Sequence, residues 1–186
     1  MSDLARNVAT AAVILAVSIG MGVLMTVEDP STGEKVITVL RDTILGGSAD
    51  MAGPFLAANL FFNNLQACLM MFLGGASLGI VTVFIITVNG FVIGSVLELV
   101  RQQHSLVFVL AAIVPHGIFE IPAFLLSGAL GFMLARALWN EWMSGSDAAA
   151  EAAALGKTFL FRVVPLVAVA ALVEAFITPQ ILHFLV

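Results

Sequence analysis

Long apolar runs separated by short polar connections dominate this sequence, and they leave few ways to fold. A hydrocarbon core about 30 Å thick needs about 20 apolar residues in a helix. Val8–Val27 meets that length once, and Met51–Val100 is about twice as long. Ser105–Leu138 exceeds one straight span, and a last run starts near Thr158. Backbone polar groups in lipid must be satisfied internally, so such runs fold as helices packed in a bundle.

Composition agrees. Apolar residues make up 61% of the chain, charged residues 10%, and the mean hydropathy is +1.11. So few charges cannot cover that much apolar surface in water, and no stretch is left for a sizeable soluble domain. The net charge of −5 argues against nucleic acid and against a polybasic lipid-binding patch. The single Cys68 excludes an internal disulfide and a multi-cysteine metal site. The exit Met25-Thr26-Val27-Glu28 lacks a small-x-small cleavage pattern, so the first run reads as a transmembrane helix rather than a signal peptide.

The expected fold is an all-α, polytopic transmembrane bundle in one integral membrane domain. Five spans are expected, at about 8–27, 54–73, 76–97, 105–138 and 158–178. Gly74-Gly75 divides the double-length run; a bend at Asn63-Asn64 followed by one longer helix is the alternative. Glu28–Asp50 carries five acids and two bases with Pro30 and Gly33, and reads as a solvated loop with a short strand or helix over Val36–Ile44. Residues 139–157 read as an interfacial connector. Trp139 and Trp142 mark the aromatic belt there. Ser146 and Asp147 cap a short helix from Ala148 to Leu155, and Gly156 and Lys157 end it. With the N-terminus inside, the basic residues Arg6, Arg136, Lys157 and Arg162 stand against Lys35, Arg41 and Arg101 outside, a bias too small to fix orientation.

Ionisable residues inside the apolar runs are the candidate functional site. Each costs roughly 2.5–3.5 kcal/mol at the centre of a membrane helix by insertion scales. His116 and Glu120 stand four apart, on one helix face. Pro115 and Pro122 bracket them with Gly117 between, which predicts a broken or kinked helix. Glu174 lies deep in the last span. Asn63, Asn64 and Asn89 complete an expected buried polar cluster. Three readings of it stay open: mutual structural satisfaction, a proton or cation pathway, and a metal site from His116, Glu120 and Glu174. No His-Glu-x-x-His run is present, and no metal, catalytic residue or cofactor is assigned. Serine hydrolysis and nucleotide binding lack their spacings. His104 and His183 fall near span ends and read as interfacial. Gly75-x-x-x-Gly79, Gly90-x-x-x-Gly94 and the pair Ser127/Gly131 let helices approach closely, within one protomer or between two copies of a homodimer.

At these residues the chain resembles the stage II sporulation protein M family of integral membrane proteins. Asn63-Asn64, the glycines 75, 79, 90 and 94 with Asn89, Pro115-His116-Gly117 with Glu120, Pro122 and Ala123, and Pro165-Leu166 followed by Glu174, Ala175, Phe176, Thr178 and Pro179 carry the resemblance, from about Asp50 to Pro179. It implies a multi-pass protein of the cell membrane, and a polar cluster without any catalytic signature leads to the expectation of no enzymatic activity. It also implies a scaffold or complex subunit for other membrane or envelope proteins, as in engulfment, where sporulation members hold peptidoglycan-remodelling partners. Members also occur in archaea and non-sporulating bacteria. A small transporter moving a cation or proton past His116 and Glu120 is the alternative, and an intramembrane metalloenzyme the third reading.

Overall fold

A computed structural model describes residues 2–45 and 53–184. Helix α1 spans Asp3–Glu28, α2 Pro30–Leu45, α3 Pro54–Leu73 and α4 Ile80–Gln103. Helix α5 spans Leu106–Ser144, α6 Ala148–Thr158, α7 Val164–Phe176 and α8 Thr178–His183. No strand occurs among the described residues. Among the described residues, five helical stretches are long and apolar enough to cross a membrane: Asp3–Glu28, Pro54–Ser77, Ile80–Gln103, Leu106–Ser144 and Ala148–His183.

The spans run alternately up and down. The start of α1 meets the far half of α5, where Arg136 donates to Asp3 at 2.8 Å. The α3–α4 turn lies at that same end. The α1–α2 corner, the α4–α5 connection and α8 lie at the other. Ala11 and Leu15 of α1, Cys68, Met71 and Phe72 of α3, Ile86 of α4, Phe124 and Leu130 of α5, and Val163 and Val167 near α7 form the core. Phe72 stacks on Phe159 with centroids 5.3 Å apart. Val13, Phe62, Phe84, Ile118 and Phe161 point outward. In water this would be a liability, but on a membrane span it is the lipid-facing belt.

Two full spans do meet at Gly74-Gly75. The turn is a 3-10 segment, Gly74–Ser77, followed by Leu78 and Gly79 in left-handed backbone (φ 56° and 87°). The Ser77 hydroxyl donates to the Gly74 carbonyl at 2.6 Å and accepts from the Val81 N–H at 2.9 Å. Thr82, fully buried, donates to the Met71 carbonyl at 2.8 Å and ties α4 back to α3. Gly75 and Gly79 are therefore turn residues and not a helix–helix motif. Gly75 still permits a close approach: a Cβ there would lie 2.3 Å from the Gly131 carbonyl oxygen of α5.

Gly90 and Gly94 pack inside the protomer. A Cβ on Gly94 would meet the Ile19 carbonyl oxygen at 2.1 Å, and one on Gly22 would meet that of Phe91 at 2.2 Å. The α1 and α4 backbones touch there, so these glycines offer no face to a second copy.

Three expectations are corrected. The segment 28–50 is not a solvated loop: α2 occupies Pro30–Leu45, while 46–50 lie outside the described residues. Glu34, Lys35 and Asp42 are exposed, while Val36, Ile37 and Leu40 are half-buried and Gly33 presses on Thr26 and Leu99. Asp29 starts the helix by accepting from the Ser31 hydroxyl (2.9 Å) and N–H (3.0 Å), which holds its carboxyl below the usual range. Second, α5 is not broken at Pro115–Pro122; it remains helical through both prolines. Prolines are tolerated inside membrane helices because neighbouring groups and local adjustment satisfy the freed carbonyls. Third, residues 139–157 are not a separate connector. Helix α5 runs on to Ser144, and α6 passes through a π turn, Phe159–Val163, straight into α7. Asp147 caps α6 as expected, accepting from the Ala149 and Ala150 N–H groups. Gly156 stays helical, and the wide turn comes just before Pro165, which has no N–H to give.

Candidate functional site

The inward face of α5 reads His116, Glu120, Ala123, Ser127, Leu130, Leu134, a spacing of three or four that keeps one side toward the bundle. Ala123, Ser127, Leu130 and Leu134 are buried. The inward face of α7 reads Val167, Ala170, Ala171, Glu174, and Thr178 follows in register. Where the two faces cross, three ionisable side chains meet. His116 Nδ1 lies 2.5 Å from Glu174 Oε2, and His116 Nε2 lies 3.9 Å from Glu120 Oε2. The imidazole thus sits between two carboxylates, one from its own helix and one from α7. Both close-contact atoms, Nδ1 and Oε2, are shut off from solvent and lack an aligned hydrogen bond, so the contact is an ion pair by proximity. The side chains are only 19%, 20% and 34% exposed for His116, Glu120 and Glu174.

Depth follows from helix geometry. His116 is ten residues into α5 from Leu106, and Asn64 ten into α3 from Pro54, about 15 Å at 1.5 Å per residue. A helix entering a hydrocarbon layer about 30 Å thick at Leu106 would carry His116 at its middle. Beside His116, the outer face of α5 has an open apolar groove of about 330 Å³ along Ile113, Val114, Gly117, Ile118, Ile121 and Pro122. The groove is a lipid-side feature; the polar trio lies on the opposite side of the helix.

The asparagines do not complete the cluster through their hydrogen bonds. Asn63 donates to the Asn64 side chain at 3.4 Å, and Asn89 to the Ile85 carbonyl of its own helix at 2.8 Å. Asn89 lines the tight centre of the bundle with Phe124, one turn beyond Glu120. His104 is exposed and stacks on Phe108, and His183 lies beside Phe184, both away from the trio. Among the described residues, no three His, Cys, Asp or Glu side chains are arranged to hold a metal ion. The trio has the residue types for a ligand set without the convergence.

One buried acid was overlooked. Glu98 reads as part of a polar connection, yet it is 2% exposed. Arg101 reaches it twice at 2.7 Å through Nε and Nη2, and Gln102 donates at 2.9 Å. Gln102 also reaches the Thr26 carbonyl at 3.4 Å, joining the ends of α4 and α1. The spacing of three and four from Glu98 was a readable signal. The Asp3–Arg136 pair had none, since its partners lie 133 residues apart.

With this arrangement in hand, relatives can be placed. Residues 11–179 match the family described as stage II sporulation protein M. The chain belongs to the stage II sporulation protein M family. A relative from Methanocaldococcus jannaschii, an uncharacterized protein, is 28% identical over 131 residues, covering 68% of this chain and 73% of the relative. No solved structure matches. The family match takes in His116, Glu120 and Glu174 together with the glycine seam of α1 and α4, and so spans both distinctive features of this multi-pass membrane protein.

Proposed function

We propose that this family member is a non-enzymatic scaffold or complex subunit of the cell membrane. The observation that carries the reading is where its interaction chemistry is spent. The close-packing glycines and the intramembrane acids are occupied inside the protomer, whereas α2 turns a charged face outward. Glu34, Lys35 and Asp42 on that face of the helix that follows α1 supply a surface for a membrane or envelope protein. Photo-crosslinking residues placed at Glu34 and Thr38 in cells should capture envelope proteins that the same residue at Val13, in the lipid belt, does not. Turnover of a peptide or lipid substrate by the purified protein, abolished by Glu120→Ala, would refute the reading.

A second reading, proton or cation transport, is favoured by a single observation: a histidine and two glutamates brought together within membrane-spanning helices. Intramembrane ionisable residues commonly mark such routes. Flux into liposomes above empty controls, removed by the His116→Ala/Glu120→Gln double substitution, is its signature. Flux equal to empty liposomes dismisses it.

A further inference from the structure

We propose that the His116–Glu120–Glu174 cluster is a proton-binding site, with the bound proton on Glu120. The argument is charge balance within a defined geometry. One imidazole carries at most one positive charge, and two carboxylates face it. His116 is closest to Glu174, at 2.5 Å, so that pair uses the imidazolium; Glu120, at 3.9 Å, is left with the poorer share. Among the described residues, no other cation is paired with these carboxylates. Helix α1 has no charged residue from Val8 to Val27, α3 none from Pro54 to Leu73, and α4 none from Ile80 to Leu97. What α3 offers at this level is neutral: Asn63, Asn64 and the thiol of Cys68. Helix α7 brings only Glu174, and the nearest base of α8 is His183 at its end. An unmatched carboxylate inside a membrane bundle neutralises rather than remaining ionised. The step is plain proton uptake, carboxylate plus H⁺ giving the carboxylic acid, with no electron transfer. It is independent of transport, because a proton can be held without being carried across, and independent of any partner of α2.

Infrared spectroscopy of the protein in lipid nanodiscs tests this. At neutral pH the protein should show a protonated-carboxyl C=O band that moves to lower frequency in D₂O. The band should be lost in Glu120→Gln and kept in Glu98→Gln. It should also be lost in Glu174→Gln, where His116 is free to pair with Glu120. Absence of the band in the unaltered protein overturns the proposal whether or not any variant folds. So does a band that survives in folded Glu120→Gln or Glu174→Gln, or carboxylates that stay ionised and respond to sodium instead. Liposome flux measured on the same samples separates proton binding from transport.

Discussion

At the α1–α4 seam, Gly22 and Gly94 bring two backbones into contact, and Gly90 sits against Ser18. At the α5–α7 seam, His116, Glu120 and Glu174 place ionisable groups between two helices. Both seams join helices in a medium where burial of apolar surface gives little drive, since lipid tails are as apolar as leucine. The first relies on contact density, which tolerates no added atom. The second relies on charge matching, which fixes geometry more than it supplies energy: interhelical hydrogen bonds in membranes average about 0.6 kcal/mol. The seam that stabilises the fold and the seam that carries its chemistry are therefore different, and they should fail differently.

Gly94→Leu should show the largest effect. The added side chain has only the Ile19 backbone to displace, 2.1 Å from the first new atom, and overpacking of this kind costs about 3 kcal/mol. Unfolding in detergent micelles measures it. A loss confined to a few tenths of a kcal/mol would mean the α1–α4 contact is loose. Next comes His116→Ala, which leaves Glu174 and Glu120 without the imidazole between them. Breaking a fully buried pair costs about 3–5 kcal/mol; partial exposure here reduces the expected loss to about 2 kcal/mol. Stability equal to the unaltered protein would show that the imidazole is not the group holding the acids. Glu98→Ala should follow, at about 1–3 kcal/mol, because Glu98 is buried but Arg101 reaches water when released. The smallest change has the opposite sign. Gly20, on the same helix as Gly22, meets nothing within 4 Å, so Gly20→Ala should stabilise by up to about 1 kcal/mol through helix propensity. Destabilisation at Gly20 would indicate that something packs on the outer face of α1.

Hydropathy made the spans legible because it depends only on local composition, and the same background made His116, Glu120 and Glu174 stand out. Their meeting followed from helix faces, since the spacing on α5 and on α7 turns each acid inward. Helix α2 was obscured because its acids and bases were counted along the chain and not phased around a helix; phasing separates Glu34, Lys35 and Asp42 from Val36, Ile37 and Leu40. The prolines suggested a break because proline costs about 3 kcal/mol inside a helix in water, whereas α5 stays helical through both. Gly90 and Gly94 announced close packing, but not that Gly22 and Ile19 lay opposite. Asn63 and Asn89 bond to Asn64 and Ile85 of their own helices, which a count of polar residues along the spans does not reveal.

The central claim, that α5 and α7 are joined through a charge-matched contact shielded within the bundle, is tested most directly by a double-mutant cycle on His116→Ala and Glu174→Ala. The unfolding free energies should be non-additive, with a favourable coupling of about 1–2 kcal/mol, near the upper end for polar pairs in membranes. Additivity within about 0.3 kcal/mol would contradict it, because two side chains that ignore each other's removal do not share one contact.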